Sequence, residues 1–144
     1  MKPRHFIDRL RHDDIVQAIR AAEKQTSGEI RVFVSRKEVH EPVAAAQAHF
    51  LELGMQRTKE RNGVLLFVAP RSHKFAVIGD EGVHARCGDA FWRELAAEMT
   101  GHFQRSEFTD GLIHGIKKAG ELLAKHFPRR AGDTNQLSDD VAHD

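Results

Sequence analysis

Five residues of this 144-residue chain have the chemistry to hold a hard cation: Glu29, Asn62, Asp80, Glu81 and Asp89. Four are carboxylates and Asn62 offers an amide oxygen, while Thr26 and Ser27 add hydroxyl oxygens just before Glu29. Oxygen donors with few nitrogens or sulfurs suit Ca²⁺ or Mg²⁺. Carboxylates brought close together also repel one another unless a cation or a proton neutralises them. The same residues fit a second description, solvated turn positions and one helix cap, and spacing alone leaves both open.

A small sheet is what would bring these residues together. Asn62-Gly63 is a turn signal, and the apolar run Val64 to Ala69 behind it is too short and too β-branched for a helix. It fits a strand buried on both faces. Pro70 to His73 supplies a turn, and Lys74 to Ile78 reads as the return strand of a hairpin. Upstream, Glu29 to Ser35 alternates, with Ile30, Val32 and Val34 on one face and Arg31 and Phe33 on the other. A charged loop, Arg36 to Glu41, then leads to a helix with Pro42 in its first turn, an apolar seam at Ala46, Phe50 and Leu53, and a stop at Gly54.

Strand, helix, strand is a crossover unit, so the first two strands are expected to run parallel with a right-handed connection. The third strand runs back. The starts of strands one and two, Thr26 to Glu29 and Arg61 to Gly63, should therefore meet the end of strand three, Gly79 to Gly82, at one edge of the sheet. Asp89 lies a few residues further on. Gly79-Asp80-Glu81-Gly82 reads as a flexible acidic loop, and Val83 to Cys87 as a short edge strand.

Three more helices complete the pattern. The first is expected to start after Asp8, with Ile7 as a hydrophobic staple, and carries Ile15, Ala18, Ile19 and Ala22 at helical spacing before Thr26-Ser27-Gly28 stops it. Asp89 is a plausible N-cap for a helix through Phe91, Leu95 and Met99, and Thr109 or Asp110 for a last helix ended by Pro128. Gly111 and Gly115 lie on the inward face of that helix, where glycine costs propensity unless a sheet or another helix approaches closely. The fold class is α/β: a three-layer α/β/α sandwich with a three- or four-stranded mixed sheet. Residues 1–128 read as one domain and 129–144 as a polar, acidic tail, expected to be loose, with Leu137 and Val141 as its only anchors.

Composition narrows the function. Net charge is +1, from 22 Lys+Arg against 21 Asp+Glu, so nothing marks a nucleic-acid partner. The single Cys87 cannot form an intrachain disulfide, which permits a reducing compartment. Met1 to Leu10 holds charges throughout, and no apolar run approaches membrane-spanning length. A soluble cytoplasmic protein without membrane insertion is the expectation.

Cys87 to Arg93 has the spacing of cysteine-dependent phosphatases, but Asp89 would put negative charge inside the phosphate cradle, and Phe91 and Trp92 are bulky there. Arg86 also precedes the cysteine where those enzymes have histidine. No glycine-rich phosphate loop, nucleophile elbow or metalloprotease histidine pair is present.

Thr26 to Val32, Asn62 to Ala69 and Lys74 to Gly82 resemble the three signature segments of the TPM domain. Phe103 to Gly115, with Glu107-Phe108 and the two glycines, resembles that family's closing segment, and Asp133 to Val141 is similar to the tail of a soluble bacterial branch without membrane anchors. The resemblance implies an α/β/α sandwich with a sheet-edge crevice that binds divalent cations, commonly calcium. Carried onto this chain, the crevice falls on Glu29, Asn62, Asp80, Glu81 and Asp89. It further implies phosphatase activity in some members and accessory roles beside membrane complexes in others. One departure stands out: many members place an acidic residue directly before Asn-Gly, and here that residue is Arg61. A guanidinium there would weaken a cation site or receive a phosphate group.

Three functions follow as expectations. The first is a Ca²⁺-binding regulatory or accessory module. The second is a metal-assisted phosphatase acting on phosphomonoesters, with Arg61 as a phosphate contact. The third is a non-catalytic adaptor for a membrane-associated partner complex.

Overall fold

Strand β1 (Glu29–Val34) lies parallel to β2 (Gly63–Ala69), and β3 (Lys74–Gly79) returns antiparallel along the other side of β2. A computed structural model describes residues 12–88, 90–105, 107–129 and 141–144. The register sets Glu29 opposite Gly63 and Val64 opposite Gly79. Every residue of β2 is buried, which is why that strand reads as a continuous apolar run.

The layers follow from the alternation in β1. Ile30, Val32 and Val34 face a large core built with Ile15 and Ile19 of α1 (His12–Glu23), Leu95 and Met99 of α4 (Ala90–Gln104), and Leu112, Ile116 and Leu123 of α5 (Phe108–His126). Phe33, Leu65 and Phe67 face a smaller core under α2 (Pro42–Glu52), with Ala46 and Phe50. Pro42 stands in the first turn of α2, and Gly54 leaves it in the left-handed conformation at φ 71°. Helices thus cover both faces of a four-stranded mixed sheet, in agreement with the expected sandwich.

The glycines of α5 mark close approaches. A Cβ on Gly115 would lie 2.8 Å from Leu66 Cδ2 of β2 and 2.9 Å from Met99 Sδ of α4. One on Gly111 would lie 2.8 Å from Phe103 Cε1. Both sheet and neighbouring helix press on this face, which offsets the propensity that glycine forfeits.

Three expectations need correction. Val83 to Cys87 is not an edge strand: it belongs to a short helix, α3 (Glu81–Cys87). Asp80 caps that helix, its Oδ1 accepting from the Glu81 N–H at 2.8 Å, and Val83 is fully buried. Helix α5 begins at Phe108 with Glu107 as its N-cap residue, ahead of Thr109 and Asp110. The tail, expected to be loose, ends in β4 (Ala142–His143), which pairs parallel with β1 and completes the sheet order β3-β2-β1-β4. Val141 is an anchor, as expected, at 8% exposure, whereas Leu137 lies outside the described residues. So do the expected start of α1 after Asp8, and Asp89.

Candidate functional site

The end of β3 and the starts of β1 and β2 meet at one rim through backbone hydrogen bonds. The Asp80 N–H donates to the Gly63 carbonyl at 2.9 Å, the Gly82 N–H to the Arg61 carbonyl at 2.9 Å, and the Glu29 N–H to the Asn62 carbonyl at 3.4 Å. Gly82 is essential to this junction: a Cβ there would lie 2.3 Å from the Glu60 carbonyl and 2.6 Å from that of Arg61. The acidic stretch is therefore a packed corner at the head of a helix rather than a flexible loop. Arg61 itself adopts a left-handed φ of 52°, uncommon outside glycine, which turns the chain into β2.

The charge at the centre of the rim belongs to the protein. Arg61 grips Asp80 in a two-pronged contact, Nε donating to Oδ2 at 2.8 Å and Nη2 to Oδ1 at 3.0 Å, and its Nη1 reaches Glu81 Oε1 at 3.2 Å. A planar guanidinium fits a carboxylate in this forked way. The Asp80 side chain is 6% exposed and that of Glu81 72%, so the contact runs from a sheltered carboxylate out to a solvated one. The hydrogen bond to Asp80 holds the Arg61 pKa above its usual value, against the opposing effect of desolvation.

Beside it lies a second polar cluster, in which Ser27 and Asn62 were expected and Glu60 was not. Glu60 Oε2 accepts from Ser27 Oγ at 2.7 Å and from Asn62 Nδ2 at 3.3 Å, and Asn62 Nδ2 also donates to Ser27 Oγ at 3.2 Å. Asn62 is 1% exposed, and its Oδ1 is buried with no hydrogen-bond partner. A carboxylate two positions before Asn62, in place of the one directly before it, was the available signal for Glu60. Glu29 reaches the same rim through its backbone and is 2% exposed.

Of the expected ligands, the structure brings Asp80, Glu81, Asn62 and the backbone of Glu29 to one rim, and Asp89 lies outside the described residues. Among the described residues no three His, Cys, Asp or Glu side chains are placed to hold a metal ion. As arranged, then, the rim fits a guanidinium rather than a divalent ion, and a cation would have to displace Arg61.

The cysteine route fails on chemistry. Burial pushes the Cys87 thiol up, outweighing the Arg86 charge that favours thiolate, so the group stays protonated near neutral pH. Arg86 is committed elsewhere, donating to the His126 carbonyl at 2.9 Å and lying 4.6 Å over the Phe127 ring.

The chain matches the model of the TPM domain over residues 1–122. It is similar to the BA42 protein of the psychrophilic bacterium Bizionia argentinensis, solved by NMR, at 38% identity over 92% of each chain with a TM-score of 0.86. It shares its fold with the N-terminal domain of a P. gingivalis protein, at 18% identity, 79% and 75% coverage and a TM-score of 0.64. No curated protein matches. Among the described residues no helix is long and apolar enough to cross a membrane. A strand-crossover-hairpin sheet whose acidic corner and Asn-Gly turn share one rim, matched by that family model over most of its length, places this chain in the TPM domain family.

Proposed function

We propose that the chain is a non-catalytic regulatory or accessory module whose rim binds a divalent cation, Ca²⁺ in preference to Mg²⁺, in competition with its own arginine. The observation that carries this reading is the Arg61 guanidinium spanning Asp80 and Glu81. Those two carboxylates are oriented around one positive charge, and a divalent ion would compete for the same oxygens. The buried Asn62 Oδ1, without a hydrogen-bond partner, is a further oxygen on the adjoining turn, and Glu29 and Asp89 complete the proposed set. Ca²⁺ tolerates irregular oxygen shells, whereas Mg²⁺ demands near-octahedral geometry. Exchange of guanidinium for cation would free Arg61 and change the charge displayed beside α3, giving a partner protein a cation-dependent surface.

Calcium titration followed at each backbone amide tests this, with wild type beside Arg61→Gln. Peaks from residues 60–63 and 79–83 are expected to shift, and the variant to bind about tenfold tighter because the internal competitor is gone. At a hundred times the dissociation constant, binding adds about 2.7 kcal/mol of stability. If neither protein shows rim shifts at millimolar calcium, the cation reading fails and the adaptor reading takes its place.

The phosphatase alternative, with Arg61 as phosphate contact, has weaker support. Two carboxylates already occupy that guanidinium, and the hydroxyl that does meet a carboxylate on the rim, Ser27 Oγ on Glu60 Oε2, also accepts from Asn62 Nδ2, which occupies an oxygen lone pair. Phosphate release from an aryl phosphate by wild type but not by Asp80→Asn would restore it.

A further inference from the structure

Strand β1 would be an open edge of the sheet if β4 did not lie along it. The cover is short. It pairs only Phe33 with Ala142 and Val34 with His143, so side chains rather than a long ladder must hold it. Val141 is buried in the larger core, and Ala142 packs against the smaller one on the opposite face. Beyond the pairing, Asp144 is gripped at both oxygens: Ser35 Oγ donates to Oδ2 at 2.6 Å and the Arg36 N–H to Oδ1 at 2.6 Å. Ser35 Oγ is itself aligned by the Lys37 N–H at 3.2 Å. At the other end of the edge, the Ile30 N–H is already taken by Glu23 Oε2 at 2.9 Å, which stops an added strand from extending further.

We propose that the edge of β1 from Phe33 to Arg36 is a peptide-docking site, which this chain's last four residues occupy in cis. The seat selects an extended segment running parallel to β1, with a branched apolar residue at its first position, a small residue at its second and a carboxylate at its fourth. The occupant it fits in trans is such an acidic segment of a partner protein, added as a strand. Two features set that specificity. Val141 is buried among the residues of the larger core, and the carboxylate sits on a serine hydroxyl and a backbone N–H with Lys37 and His49 close enough to favour its negative charge. The cis segment belongs to the same chain, so it competes as an intramolecular ligand. A partner reaches the site once the tail is withdrawn.

The test uses the full chain and a fluorescent peptide of residues 138–144, Ser-Asp-Asp-Val-Ala-His-Asp. Val141→Asp puts an unpaired carboxylate in the core pocket and releases the tail, and Asp144→Lys releases it without touching the core. Each variant is expected to bind the peptide about tenfold tighter than wild type, with amide shifts confined to residues near 33–37. A peptide ending in Asn should bind several-fold more weakly. The proposal is overturned if Asp144→Lys binds no better than wild type, if a scrambled peptide binds equally, or if the shifts fall elsewhere. Dimerisation of wild type by exchange of tails would make a second copy the occupant and overturn the assignment to a foreign segment.

Discussion

Arg61 and Asp80 are joined twice, Nε to Oδ2 at 2.8 Å and Nη2 to Oδ1 at 3.0 Å, across 19 positions of sequence. Asp80 Oδ1 also accepts from the Glu81 N–H at 2.8 Å, so one carboxylate both starts α3 and anchors the turn into β2. Asp80→Ala should destabilise the protein by about 0.5–2 kcal/mol through loss of the cap alone. Asp80→Asn keeps an oxygen for the cap and should cost less. Urea midpoints for the two variants measure the difference, and equal losses would show that the cap contributes nothing.

Gly82→Ala puts a methyl group against two backbone carbonyls that cannot move without distorting the turn into β2. The expected loss is about 1–3 kcal/mol, the range for overpacking. Amide peaks of residues 60–63 should shift with those of α3. A neutral substitution would mean that the corner is looser than described.

Acid should weaken the corner between α4 and α5. There the His102 Nδ1 donates to Glu107 Oε1 at 2.9 Å and the His114 Nε2 to Glu98 Oε2 at 2.7 Å, with the two rings 5.3 Å apart. The hydrogen bond from His114 holds the Glu98 carboxyl below its ordinary value of 4.5, and that from His102 does the same for Glu107. Depressed carboxyls leave the unfolded chain binding more protons below that value. Their contribution is therefore present above pH 4.5 and lost as the pH falls through the folded values. Stability measured by urea unfolding should drop less steeply below pH 4.5 in Glu107→Gln than in wild type. Identical slopes would remove the pair from the acid response.

Gly115→Ala tests the close approach of α5 to the sheet. The added carbon would meet Leu66 Cδ2 at 2.8 Å and Met99 Sδ at 2.9 Å, and Leu66 is fully buried. The gain in helix propensity, about 1 kcal/mol, should be outweighed by overpacking of about 1–3 kcal/mol. Pairing it with Leu66→Val should recover part of the loss, and full additivity of the two changes would argue that the contact is absent.

Much of the fold could be read from periodicity. The apolar run in β2, the alternation in β1 and the seam of α2 each have one physical solution, and together they fix the rim. Helix α3 escaped because its signals conflict: Gly82 lowers helix propensity, and the reason for it, the carbonyls of Glu60 and Arg61 in the turn before β2, is a tertiary contact. Strand β4 escaped because two residues carry no period. That Asn62, Asp80, Glu81 and the start of β1 share a rim was legible, whereas the part Glu60 takes in it was not. That Arg61 departs from the family pattern was visible in the sequence, whereas its grip on Asp80 depends on a left-handed backbone turn that only the fold imposes.

The two layers of the sandwich are unequal. Among the described residues four helices pack over one face of the sheet, while α2 with the short turn at Met55–Arg57 guards the other, leaving Val43 at 53% and Leu51 at 60% exposure. Regions with fewer buried contacts open first. The molecule should therefore breathe by lifting α2, which carries His49 away from the rings of Phe33 and Phe67 and bares those two to solvent while the opposite layer keeps its shape.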